Sequence, residues 1–103
     1  MNVMNEEQIG EVLLILQEEC AEVTQAVSKV FRFGYDMRYP TESDPSNKEK
    51  LEEEIGDLQA MIDILIENSV LSDANINQAR HNKKFKLMKW TNIYDTTGTN
   101  KVS

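Results

Sequence analysis

The sequence predicts an all-α fold: a helical hairpin plus a third helix, assembling by dimerisation into a four-helix-bundle core. Three observations carry this. Two long stretches repeat apolar residues at helical spacing. Each opens on a good capping residue. Two long helices and a short third are too little chain to cover their own apolar arcs, and chains of this size often complete a core by association. A two-fold dimer would pack both long helices against their copies.

The first helix is expected to start after Asn5, a favourable N-cap, with Glu6, Glu7 and Gln8 in its first turn. It runs to about Phe31, where Gly34 helps end it. The second begins near Ser46 or Asn47, with Glu49 completing a capping box, and continues to about Val70. Gly56 lies inside it at a cost of about 1 kcal/mol relative to Ala. Its missing side chain leaves room for another helix or a ligand. A third helix starts after Ser72 or Asp73 and runs to about Trp90, with a weaker alignment of Ile76, Ala79, Leu87 and Trp90. Residues 1–92 form the domain, and 93–103 are expected to be a flexible tail.

Acids interrupt the apolar pattern of both long helices. At about 100° per residue, Val12, Ile15, Leu16, Val23, Ala26, Val27 and Val30 share one arc of the first helix. Glu19 falls inside that arc, Glu22 at its edge and Glu18 off it. On the second helix Leu51, Ile55, Leu58, Met61, Ile62, Leu65 and Ile66 share an arc. Glu54 lies inside it and Asp57 at its margin. Buried acids are costly unless paired, and two such pairs face to face would make an all-oxygen site of the kind Mg²⁺ prefers. An acid at a stripe edge can also reach solvent or pair with Lys.

The run Glu18-Glu19-x-x-Glu22 followed by Glu54-x-x-Asp57 resembles the double signature of the MazG-like all-α nucleoside triphosphate pyrophosphohydrolases. Asn82-Lys83-Lys84-Phe85 is similar to a third stretch of that family on a later helix. The resemblance covers about residues 8 to 90. The segment between the acidic motifs is longer than is usual in the family, and Leu87-Met88 replaces a basic pair. Both departures touch substrate choice rather than the metal site. The resemblance implies cleavage between the α and β phosphates of a nucleoside triphosphate to a monophosphate and pyrophosphate. It implies Glu19, Glu22, Glu54 and Asp57 as Mg²⁺ ligands, with Mn²⁺ an acceptable substitute, and Glu18 beside them in the catalytic set. It implies Asn82 and Lys84 as substrate contacts, and a homodimer or homotetramer. Phosphoribosyl-ATP pyrophosphatase, a relative with similar acidic helices, is the nearest alternative.

Composition narrows the partners. The 103 residues carry 18 acids against 11 Lys and Arg, a net charge of −7. That argues against a nucleic-acid backbone, which needs clustered cations. Divalent ions among four acids would reverse the local repulsion and attract phosphates. The longest apolar run, Val12 to Leu16, is far too short for a membrane span. The N-terminus has no basic region and no secretory apolar core, so a cytoplasmic location is expected. Cys20 is the only cysteine; its place near the apolar arc predicts packing rather than chemistry.

The connector between the long helices holds Arg32, Phe33, Tyr35, Arg38 and Tyr39. Aromatic faces stack on bases, and arginines hold phosphate through forked donors. Arg32, Phe33 and Arg38 are therefore candidate substrate contacts, against the alternative that the rings only pack the loop down. The stretch from Arg80 to Trp90 holds five of the eleven basic residues and no acid. Such cations can clamp phosphate or simply complement a helix C-terminus. No Cys-His or Ser-His arrangement supports a covalent intermediate. A different class of function, a metal-free acidic interaction module, would leave the acids dispensable for folding. A DNA-mimicking inhibitor would need its acids outside.

Overall fold

The computed structural model describes residues 3–94 of the chain. Among them lie three helices, α1 (Glu6–Phe33), α2 (Asn47–Glu67) and α3 (Asp73–Trp90), and no strand beyond an isolated bridge between Arg38 and Ser46. Two compact units divide the chain, Met1–Val70 with α1 and α2, and Leu71–Ser103 with α3. No described helix is long and apolar enough to cross a membrane. Most of the expected tail lies outside the described residues.

Local chemistry sets the helix starts. The Asn5 side chain accepts from the Gln8 amide at 2.8 Å, and Gln8 returns the bond to the Asn5 amide at 2.9 Å. Ser46 and Glu49 form the same reciprocal box on α2, so each satisfies two N–H groups that the helix leaves orphaned. Ser72 caps α3 by accepting from the Asn75 amide. Gly34, at φ 88°, ends α1 two residues beyond the expected Phe31. It donates back to the Val30 carbonyl at 2.8 Å.

The second helix ends three residues early. Ser69 adopts φ 60°, and its amide returns to the Ile66 carbonyl while that of Val70 returns to Leu65. This is the Schellman arrangement, with serine where glycine is usual. Asn68 closes the unit: its amide nitrogen bonds the Ile64 carbonyl at 2.8 Å, and its oxygen accepts from the Met4 amide at 2.9 Å.

The hairpin core is a narrow seam. On α1 the less exposed positions, Gly10 aside, are Ile9, Val12, Leu16, Glu19, Val23, Ala26 and Val30. On α2 they include Asn47, Leu51, Glu54, Leu58, Met61 and Leu65. Both series alternate steps of three and four, the period that keeps one stripe facing a partner helix. Val12 and Ala26 are buried, and Leu65 is fully buried. Much apolar surface lies beside this seam. Leu13, Val27 and Phe31 are exposed, Phe31 by 86%. Cys20, expected to pack, is also exposed; it falls midway between Leu13 and Val27, seven residues from each, on a stripe that α2 does not reach. A Cβ on Gly56 would meet nothing within 4 Å, so no other described part of the chain uses that opening.

Candidate metal site in the hairpin seam

The two acids that the periodicity places inside the apolar stripes, Glu19 and Glu54, occupy the seam and are half-buried. Asp57 stands at the exposed margin. One carboxylate oxygen from each of these three lies within 4.8 Å of the others. Burial raises the Glu19 carboxyl above its ordinary value, helped by the charges of Asp57, Glu22 and Glu18. Burial likewise raises Glu54, followed by the charges of Glu22, Asp57, Glu19 and Glu53. Glu22 therefore belongs electrostatically to the cluster, though it is exposed. Glu18 is exposed on α1 beside it. Among the described residues no cation pairs with any of these acids, and the only ion pair, Arg38 with Glu49, lies elsewhere. An all-carboxylate donor set that pairs with no described cation suits a hard divalent ion.

The sign of these shifts gives a testable pH dependence for the metal-free protein. Folding raises the affinity of Glu19 and Glu54 for protons, so their contribution is complete below the unfolded value of 4.5 and is lost as pH rises through the raised folded values. Asp44 and Glu49 behave oppositely. Hydrogen bonds from Thr41 hold Asp44 low, and bonds with Ser46, then the Arg38 charge, hold Glu49 low. Their contribution fades only as pH falls below the ordinary carboxylate range. Thermal midpoints in chelator should therefore rise from neutral pH toward about 4.5 and fall below it. Glu19→Gln with Glu54→Gln should flatten the upper limb.

The connector is well anchored. Arg38 pairs with Glu49 at 2.9 Å and donates to the Asp44 carbonyl at 2.8 Å, so much of its fork is spent on the loop and the first turn of α2. The Asn47 amide group donates to the Gly34 carbonyl at 3.0 Å, and the backbone amides of Asn47 and Lys48 bond the carbonyls of Met37 and Tyr35. The rings are not packed down: Phe33, Tyr35 and Tyr39 are each more than half exposed. The Arg32 guanidinium lies 5.1 Å from the Phe33 ring centre.

Asn82 and Lys84 lie on α3, in the second unit, and both are exposed. The Asn82 oxygen accepts from Gln78 at 3.0 Å. Two lysines that sequence reasoning passed over, Lys29 and Lys50, line a cavity of about 220 Å³ together with Glu22 and Glu54. Extending the helical spacing of the acidic stripe, from Glu22 through Ala26 to Lys29 and from Glu54 back to Lys50, would have found them. Compared with known proteins, the chain matches no family model, no curated protein and no solved structure.

Proposed function

We propose that this protein is a Mg²⁺-dependent nucleoside triphosphate pyrophosphohydrolase, adding water across the α–β phosphoanhydride to release a monophosphate and pyrophosphate. One observation carries the proposal: Glu19 and Glu54 face each other within an apolar seam, with Asp57 in reach and, among the described residues, no cation paired with them. An interaction module would gain nothing from acids placed there, since an unpaired acid in a seam costs stability. Glu19, Glu22, Glu54 and Asp57 would hold the metal. When bound, the metal neutralises phosphate charge and lowers the pKa of a water. Glu18, exposed beside the cluster, is available to take a proton. A panel of nucleoside triphosphates with Mg²⁺, read by released pyrophosphate, tests the assignment; release from none of them would refute it.

The same proposal includes assembly. The exposed Leu13, Cys20, Val27 and Phe31 stripe on α1 is what a second copy would cover in a four-helix bundle, as a homodimer or as part of a homotetramer. The thermal midpoint should therefore fall as the protein is diluted, because subunit association contributes to folding. A folded monomer that persists at high dilution would contradict this.

A phosphate role for Lys84 is separable from solvation. Lys84→Ala should lower kcat/KM by roughly two orders of magnitude, as loss of a cation at the transition-state phosphate does. Lys86→Ala should alter only stability, by about 0.3–1 kcal/mol. Equal, small effects in both would remove Lys84 from the site.

A further inference from the structure

A second cavity shares three of its lining residues with the one beside the acids. The first, of about 220 Å³, runs from Glu22 and Glu54 to Lys29, Asn47 and Lys50. The second, of about 340 Å³, is lined by those same last three residues and by Phe33, Met37 and Tyr39. Its volume falls in the range of small-molecule pockets, about 300–1,000 Å³. The groove thus changes character in order along its length: carboxylates, then two ammonium groups, then a pocket walled by two rings and a thioether. The order is written in the helices. Glu22, Ala26, Lys29 and Phe33 follow one another at steps of four, three and four on α1, and Asn47, Lys50, Glu54 and Asp57 at three, four and three on α2, so each set shares a face.

Neither lysine is consumed as a counter-ion, since among the described residues neither forms an ion pair. The Lys50 ammonium makes one long bond, 3.4 Å, to the Tyr39 carbonyl, leaving further donors. Both rings keep exposed surface: Phe33, with the Arg32 guanidinium over its ring, is 52% and Tyr39 68% exposed. The loop that carries Met37 and Tyr39 is tied to the start of α2 by backbone bonds, so the pocket wall is held in place.

We propose that this groove is one continuous nucleotide site, in which Phe33, Met37 and Tyr39 seat the base and Lys29 and Lys50 contact the phosphates between the base and the acidic cluster. The proposal rests on the nucleotide chemistry proposed above and specifies how the substrate lies. The order of the groove matches that of a nucleoside triphosphate with its metal-binding phosphates at the acids and its ring at the far end. Asn47, the one side-chain amide in the pocket, already donates one hydrogen to Gly34, and the other residues that are not shared with the first cavity are two rings and a thioether, so stacking supplies most of the grip on the base. Stacking platforms tolerate any base. The site therefore demands an aromatic base and discriminates weakly among bases.

Calorimetric titration with Mg²⁺ present, using an α,β-imido deoxynucleoside triphosphate and inorganic triphosphate as probes, tests this without turnover. The wild-type chain should bind the nucleotide analogue at least about tenfold more tightly than inorganic triphosphate, and the adenine and thymine analogues within a few-fold of each other. Phe33→Ala and Tyr39→Ala should each weaken the analogue about tenfold or more and leave inorganic triphosphate unchanged. Phe33→Leu, which keeps apolar bulk without the flat ring, should do the same at a wild-type thermal midpoint. Lys29→Gln and Lys50→Gln should weaken both probes. Wild-type affinity in the Phe33 and Tyr39 variants, or in both lysine variants, overturns the groove assignment; if those variants also release pyrophosphate at the wild-type rate, the proposed activity stands without it. A wild-type chain that binds neither probe and releases no pyrophosphate overturns both.

Discussion

Glu54→Gln is expected to reduce pyrophosphate release by at least two to three orders of magnitude while leaving a folded protein of equal or greater stability. The two halves of that result have one cause. Glu54 sits in the seam between α1 and α2, half-buried, and burial together with the charges of Glu22, Asp57 and Glu19 raises its carboxyl. In the metal-free chain it is an acid among acids, and among the described residues no cation pairs with it. A neutral isostere removes that repulsion and keeps the shape, so the hairpin should tighten. The same change removes a negatively charged ligand from a hard-cation site. A metal supplies several kcal/mol of charge stabilisation at phosphate, and about 1.4 kcal/mol is tenfold in rate. Glu19→Gln should repeat the pattern, because Glu19 holds the matching seam position on α1. Turnover near wild type in either variant at saturating Mg²⁺ would show that these carboxylates do not hold a catalytic ion. Circular dichroism and thermal melts on the same samples keep lost activity apart from lost fold.

Mg²⁺ should stabilise the wild-type protein strongly. A ligand that binds only the native state, at about a hundred times its dissociation constant, adds about 2.7 kcal/mol. For a domain of this size each kcal/mol moves the midpoint by about 4–8 °C. A rise of about 10 °C or more across a Mg²⁺ titration is therefore expected, and Mn²⁺ should act similarly. The Glu19→Gln and Glu54→Gln variants should start from a higher metal-free midpoint and respond little. The crossing of the two titrations distinguishes a specific site from general screening of an acidic chain, which would raise all midpoints alike and which Na⁺ at matched ionic strength would reproduce.

Much of the hairpin was legible because its signals are local. Asn5, Ser46 and Ser72 each satisfy the first amides of their own helix, and that chemistry acts over three residues. The placement of Glu19 and Glu54 was legible because a seam imposes its period on every residue in it, polar or not. The end of α2 was not, because Ser69 takes a left-handed conformation that its side chain does not advertise. Cys20 was expected to pack because its arc is apolar, yet the arc is wider than one neighbouring helix covers. Arg38 looked like a phosphate ligand in sequence. The folded connector turns it onto Glu49 and the Asp44 carbonyl, a pairing that depends on the loop path. Lys29 and Lys50 escaped notice for a simpler reason. They stand on the acidic stripe, but as lone cations on amphipathic helices they resemble ordinary solvated side chains until the two faces are brought together.

The central claim is that the seam carboxylates hold a metal that drives cleavage between the α and β phosphates. The most direct test follows the phosphorus products by ³¹P spectroscopy when deoxynucleoside triphosphates and Mg²⁺ are incubated with the wild-type protein and with Glu54→Gln. The account predicts monophosphate and pyrophosphate in equal amounts from the wild type, and unchanged triphosphate from a folded variant. Diphosphate with orthophosphate, or the same products at the same rate from both proteins, would contradict it.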